Sequence, residues 1–591
     1  MKKKSILLFL CMASVISMNA QVFKDSDHMP SDTKYRKGTL KNGLTYYIYP
    51  TAINKNTASY YIIQNVGSIL ENDQQKGLAH FLEHMAFNGT KHFAGKGILT
   101  TLQKHGAVFG ANINAYTSQD ETVYNLDNIP TDKKGIIDTC LIVLKDWSHD
   151  LLLKDQEIDA ERGVITEEWR TRQDARQRIY DQLADTYYNN SLYSKRSPIG
   201  DMNIVKNFKY NTLRDFYHDW YRTDLQAIAI VGDINPDEIE HKIIAMFSTI
   251  PAVKNPKKRF EVIIPNNEEP AFKLALDKEI TTSKISYYIR RNGKESNATF
   301  YDFKENKLRN MAFSILNNRL KELSLEQTNP FKNAYTNFSM FVRTSKALSM
   351  SIEPKRNIQA ESFALVLNEF KKKKKFGFSD GEINRAAKQM LSSYENYLEK
   401  IDETSHKEVI ESVKSNFLEN LVITDPKMEF EVVKLILKDL KSQTLQDLMS
   451  DVYGNENRLI AVTGVENETN LTKEIAFDLI RKAENNPELK PYADTFQEKS
   501  LMGDLVVHEG KIVSEKYNSE IDATTFVLSN GVTVHYKLAS KNKNEIKLKA
   551  ESYGGTSLYS YKDLPSVSMM PNLVQMSGIG ELSANELKKV M

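Results

Sequence analysis

The spacing of apolar residues along this chain changes period several times, and each change predicts an element. Residues 36 to 66 alternate in a strand-like way. Leu40 and the run Leu44-Thr45-Tyr46-Tyr47-Ile48-Tyr49 come first, then Ser59-Tyr60-Tyr61-Ile62-Ile63, with Asn42-Gly43 as a hairpin turn signal. The period then becomes helical. Leu78, Ala79, Phe81, Leu82 and Met85 leave little polar surface on a short helix, the pattern of a buried one. A helix near Gly97 to His105 follows, then strands over 111–117 and 122–126, and long helices over 133–152 and 155–187. A further helix precedes Tyr221, and Gln226 to Val231 reads as a strand ended by Gly232-Asp233. Strands and helices mixed without a strict βαβ beat predict an α+β fold with a largely antiparallel sheet.

Pro251 to Pro265 reads as a linker, and a second, similar unit spans 266–465. It ends in Leu459-Ile460-Ala461-Val462-Thr463-Gly464, an echo of the strand at Val231-Gly232. The expected architecture is therefore a set of repeated two-layer units, each a largely antiparallel sheet packed with helices. The first occupies 35–255. Residues 466–525 are charged with no clear apolar period and read as a connector. From 526 to 591 a third unit begins. Leu528-Ser529-Asn530-Gly531-Val532-Thr533 repeats Leu40-Lys41-Asn42-Gly43-Leu44-Thr45, and the same offset carries Gly67 onto Gly555 and Leu70 onto Leu558. The sheet and final helix that would bury this unit's apolar surface do not follow before Met591, so a second half or another polypeptide is expected to complete it.

Composition narrows the picture modestly. A chain of 591 residues exceeds one core, and 41% hydrophobic with 26% charged residues is ordinary for globular domains. A net charge of +2 gives no reason to expect nucleic acid as partner. The five-lysine run Lys371 to Lys375 reads as a solvated helix end followed by a capping box, Ser379 to Glu382. Lys2-Lys3-Lys4 before the short apolar run Ile6 to Val15, with Ala20 ahead of a cleavage point, reads as a signal peptide over 1–20. The chain is thus expected to be exported, to the periplasm or beyond, with no membrane span. Its removal leaves Cys140 as the sole cysteine and no intramolecular disulfide.

The helix predicted at 78–85 carries the candidate chemistry. His80 and His84 lie one turn apart with Glu83 between them, so all three heads can reach one small volume. Burying two imidazoles and a carboxylate without partners costs several kcal/mol. A divalent cation satisfies them: neutral imidazole is a usual Zn²⁺ ligand, and an adjacent carboxylate can take a proton from water. This is the HxxEH order, the reverse of HExxH. A third ligand is needed, and the acidic helix around Glu157 to Arg170 offers Glu161 and Glu168, which share one face, whereas Glu167 points elsewhere.

Gly77 to Thr90, then Asn114-Ala115-Tyr116-Thr117-Ser118, then Glu161 to Glu168 together resemble the M16 metallopeptidases, the inverzincins. The likeness is greatest to the exported, insulinase-like zinc proteases of bacteria and covers most of residues 35 to 465. It implies a zinc-dependent endopeptidase acting on peptides or unfolded segments, with one Zn²⁺ per catalytic domain. It implies His80 and His84 as ligands, Glu83 as general base and Glu168 as the third ligand, with Glu161 a supporting acid at the site. One departure stands out: counting from His84 by the family's common spacing lands on Glu161, while the local helix motif lands on Glu168. The strand holding Asn114 and Ala115 is expected to pair with the substrate backbone. At the offset of the internal repeat, Ser568, Pro571 and Asn572 replace His80, Glu83 and His84, so the third unit has lost its metal groups. That loss resembles the family's pairing of an active with an inactive half. The alternative reading is a non-catalytic subunit of M16-like shape that works with a second M16-like chain.

Overall fold

The computed structural model describes residues 23–494, 501, 506, 508–539 and 545–590. The proposed signal peptide falls outside the described residues. The first unit holds β1 (Arg36–Thr39), β2 (Thr45–Pro50), β3 (Thr57–Gln64), β4 (Ile113–Thr117), β5 (Thr122–Pro130) and β6 (Gln226–Gly232). They form one sheet in the order β1-β2-β6-β3-β5-β4, antiparallel except for the β2–β6 pair. The β1–β2 turn forms where Asn42-Gly43 signals it: Gly43 adopts φ 95° and donates to the Leu40 carbonyl. Five helices of this unit matter here: α1 (Leu78–Met85), α2 (Gly97–Gln103), α3 (Ile136–His149), α4 (Asp155–Thr171) and α5 (Ala175–Tyr187). The single helix expected over 155–187 is two. Asp174 breaks it by accepting from the Gln177 amide, which starts α5 afresh.

The second unit repeats the plan with β7 (Ala271–Ala275), β8 (Lys284–Asn292), β9 (Phe331–Val342), β10 (Ser345–Pro354) and β11 (Arg458–Thr463), ordered β7-β11-β8-β10-β9. Again one pair, β7–β11, is parallel. The segment between the units, expected to be a linker, carries no regular element from Pro251 to Pro265. Each unit lends a helix to the other. Helix His406–Glu419 lays Val409, Ile410 and Val413 on Tyr47, Tyr61, Ile63 and Ala229 of the first sheet. In return α5 sets Ile179 and Leu183 against Ala275 and Ala461 of the second. Helices of its own unit cover the opposite face of each sheet, so both sheets are buried on two sides.

Two expectations need correction. Residues 466–525 are not all connector: helix Lys473–Glu484 buries Ala476, Ile480 and Ala483 in the second unit's core. Its apolar positions Ala476, Leu479, Ile480 and Ala483 keep the helical i, i+3, i+4, i+7 spacing, which the reading of a charged connector passed over. The lysine run is not uniformly solvated either. Lys373 is 1% exposed and bonded to Glu382, and Lys371 lies 3.7 Å from the ring centre of Tyr453. The capping box at Ser379 and Glu382 is present.

β12 (Ile512–Asn518), β13 (Ala523–Leu528) and β14 (Thr533–Tyr536) form a small sheet. The sequence repeat recurs as geometry. Leu528 donates to Val532 and Gly531 to Leu528, as Leu40 does to Leu44 and Gly43 to Leu40. A 3-10 turn follows Gly555 as one follows Gly67. Helix Leu564–Met576 then holds Ser568, Pro571 and Asn572 where α1 holds His80, Glu83 and His84. Among the described residues no helix is long and apolar enough to cross a membrane.

Candidate metal centre

α1 is fixed at both ends by side chains from outside the helix. Gly77 takes φ 99° at its start, and the buried Glu71 carboxylate accepts from the Gly77 (3.0 Å) and Ala79 (2.8 Å) amides. At its other end Trp147 Nε1 donates to the Ala86 carbonyl at 3.0 Å. Leu78, Phe81, Leu82 and Met85 are buried, and Phe81 meets Phe208 edge-on at 4.9 Å. The helix is thus locked in rotation, and its remaining face carries His80, Glu83 and His84. α4 crosses that face. Arg162 anchors it by donating to the Val205 and Phe208 carbonyls at 2.7 and 2.8 Å.

Glu168 Oε2 lies 3.3 Å from His84 Nε2 and 3.7 Å from His80 Nε2. Two ligand atoms bound tetrahedrally at about 2.0–2.1 Å from zinc are about 3.3–3.4 Å apart. The donor set of two imidazole nitrogens and one carboxylate oxygen therefore fits a zinc ion in both chemistry and spacing. The other Glu168 oxygen pairs with Arg172 at 2.5 Å, which turns Oε2 toward the histidines. Glu161 sits elsewhere. Its Oε1 meets His84 Nδ1, the far side of that ring, at 2.8 Å, and its Oε2 accepts from Asn88 at 2.6 Å. Glu83 is 8% exposed, its Oε2 4.0 Å from His80 Nε2, and it accepts from Thr117 Oγ1 at 2.8 Å.

Electrostatics follow this arrangement. Burial pushes His80 down to about 4, assisted by the neighbouring His84 charge. Burial opposes charge on His84 too, but the flanking Glu161 and Glu168 carboxylates carry it up to about 9. The bond from His84 holds Glu168 down to about 2. Glu83 is raised, chiefly by burial. Zinc requires neutral imidazole, so a zinc ion held here would have to displace the proton from His84.

Asn114 and Ala115 lie on β4, the edge strand, whose far side has no sheet neighbour among the described residues. Asp127 donates to the Asn112 carbonyl and Ser118 to that of Glu121, which sets the hydrogen-bond alternation between β4 and β5. Asn114 and Tyr116 then direct their main chains at β5, and Ala115 and Thr117 direct theirs at the open edge. Sequence reasoning did not single out Glu71, Asn88 or Thr117 for the roles they hold. A second group, His92, Asp146 and Asp150, also has metal-like spacing. Asp146 there already accepts from Thr90 Oγ1, the His92 amide and His92 Nδ1, so it serves as the anchor of the loop after α1.

The family model for the insulinases, peptidase family M16, matches residues 47–197, and that for the M16 inactive domain matches 207–390. The probable zinc protease PqqL of Haemophilus influenzae is 27% identical over 599 aligned positions, covering 100% of this chain and 63% of that protein. PqqL of Escherichia coli is 28% identical, covering 95% of this chain and 60% of its own length. The chain thus spans under two thirds of these relatives. The crystal structure of the first half of the Escherichia coli periplasmic protease PqqL superposes with a TM-score of 0.73 at 27% identity, over 79% of this chain and 100% of that one. The chain belongs to the M16 family of peptidases.

Proposed function

We propose that the first unit is the catalytic domain of a zinc-dependent endopeptidase that cleaves peptides or unfolded segments in the periplasm. The observation that carries this reading is the approach of Glu168 Oε2 to the Nε2 atoms of both His84 and His80. Zinc held by His80, His84 and Glu168 would supply Lewis acidity toward water and the scissile carbonyl. Glu83 takes the proton of the attacking water and delivers it to the leaving amine; burial, which raises its carboxylate, favours that traffic. Glu161 holds the His84 ring from behind, and Asn88 holds Glu161. A peptide adds along the edge of β4 at Asn114 and Ala115, where pairing through the main chain gives affinity with little sequence preference. The zinc protease and periplasmic protease names of the PqqL relatives support the metal and the compartment. Lys2 to Ala20 supports export.

The test is turnover of a fluorogenic peptide by the mature protein, lost on chelation and restored by zinc. Glu83→Gln is expected to keep stoichiometric zinc and lose turnover by about 10²–10⁴-fold, the usual contribution of a general base. Wild-type turnover by Glu83→Gln would remove Glu83 from its role. The second reading, a non-catalytic subunit of M16-like shape that works with another M16-like chain, is favoured by Ser568, Pro571 and Asn572 in the third unit. It predicts no chelator-sensitive turnover by this chain alone.

A further inference from the structure

We infer that Thr117 is the positioning residue of the peptidase site proposed above, coupling the pairing of a peptide strand to the orientation of the general base. This rests on that functional reading and extends it to a residue with no ligand or acid–base role of its own. The Thr117 hydroxyl donates to Glu83 Oε2 at 2.8 Å. The adjacent Thr122 hydroxyl is the donor in both of its contacts, to the Val66 carbonyl at 2.9 Å and toward Thr117 at 3.4 Å, so neither draws on the Thr117 proton. Thr117 is also the last residue of β4, where alternation turns its main chain, with that of Ala115, to the open edge. Ile113, third in that outward set, is already spent within its own turn: it donates to Val108 and accepts from Gly110. One residue therefore offers its backbone to the incoming strand and its side chain to the base.

The consequence is geometric. A buried glutamate has three side-chain torsions to fix, and a general base must hold its oxygen within about 2.6–3.2 Å of the proton it takes. His80 Nε2, at 4.0 Å from Glu83 Oε2, is too distant to fix it by a hydrogen bond. The Thr117 hydroxyl does so, from a strand whose position is set by β5 on one side and by the peptide on the other.

The experiment uses the full chain and two substitutions. Thr117→Val keeps the branched shape and removes the hydroxyl; Thr117→Ser keeps the hydroxyl and removes the methyl. Thr117→Val is expected to lower kcat about tenfold to hundredfold, part of the 10²–10⁴-fold a general base contributes, with KM within about twofold. Thr117→Ser should return kcat to near wild type, with zinc content and Tm of both variants unchanged. Equal kcat for Thr117→Val and wild type would overturn the assignment, as would equal damage in both variants or loss of zinc in Thr117→Val. A crystal structure of zinc-loaded Thr117→Val reads the same bond without turnover. A displaced Glu83 carboxylate supports the assignment, and an unmoved one overturns it. Absence of chelator-sensitive turnover in the wild type would strike the peptidase reading, while the carboxylate position would still decide the role of Thr117.

Discussion

Replacing each of the two α4 glutamates by glutamine separates a ligand from an orienting group. Glu168 Oε2 faces both Nε2 atoms, so Glu168→Gln removes the proposed anionic ligand. It is expected to hold no stoichiometric zinc at a buffered concentration that saturates the wild type. Glu161→Gln keeps shape and one acceptor against His84 Nδ1 but removes the charge behind that ring. Partners of this kind are worth about tenfold to hundredfold in metal affinity, or about 1.4–2.7 kcal/mol. A second effect opposes the loss. The same carboxylate helps carry His84 up to about 9, so at pH 7 a proton competes with zinc in the wild type. Losing the Glu161 charge weakens the competing proton as well as the metal. The net loss should therefore lie near tenfold at pH 7 and approach hundredfold above pH 9, where His84 is neutral in both proteins. Competition against a chromophoric chelator at the two pH values measures this. Unchanged affinity for Glu161→Gln at both, or zinc lost by Glu161→Gln and kept by Glu168→Gln, would refute the assignment.

Two further outcomes concern stability. His406 is 3% exposed where helix His406–Glu419 meets the first sheet, its Nδ1 2.9 Å from Ser59 Oγ; burial lowers its pKa below 6.5 against the pull of Asp127. The unfolded chain binds a proton below pH 6.5 that the folded chain refuses, so stability present above 6.5 is lost as pH falls. Tm should drop between pH 7 and pH 5, and drop less in His406→Gln; parallel profiles would contradict this. Lys373→Ala strands the buried Glu382 and should cost about 3–5 kcal/mol in denaturant unfolding, whereas Lys375→Ala, on the exposed side of the same run, should stay within about 0.5 kcal/mol.

Much of the fold is legible because the first unit's strands are short apolar runs rich in Tyr, Ile and Val, and its turns carry their signals. β2, β3 and β6 lie where the apolar runs predict, and Gly43 takes the left-handed conformation that Asn42-Gly43 foretells. The failures share a cause: burial decided by contacts between distant segments. Lys371 looks exposed until Tyr453, more than eighty residues on, covers it. Helix Lys473–Glu484 looks like connector because its apolar stripe is set among charges and its packing partner, helix Gln359–Phe376, lies about a hundred residues earlier in the chain. The exchange of α5 and helix His406–Glu419 between units leaves no periodic trace at all, since each reads as an ordinary amphipathic helix whose partner sheet is unspecified.

The site shows the same division between what one element fixes and what two must fix together. His80, Glu83 and His84 share a helix, so spacing alone brings them to one side. Glu161 and Glu168 also share a face, about 10.5 Å apart along α4, and spacing stops there. The structure sets one imidazole between the two carboxylates: Glu168 meets His84 at Nε2 and Glu161 meets it at Nδ1. A ring approached from both edges by acids two turns apart is compatible with either as ligand, until the direction of the His84 side chain is known. That direction is set by the lock on α1, by Glu71 at its start, Trp147 at its end and Phe208 against Phe81. Which carboxylate faces both Nε2 atoms is thus decided by residues outside the cluster itself. Asn88 and Thr117 belong to the same class, neutral side chains that act on Glu161 and Glu83 across loops and strands. A reading confined to charged, metal-binding residue types passes over them, because their contribution lies in which way a carboxylate points.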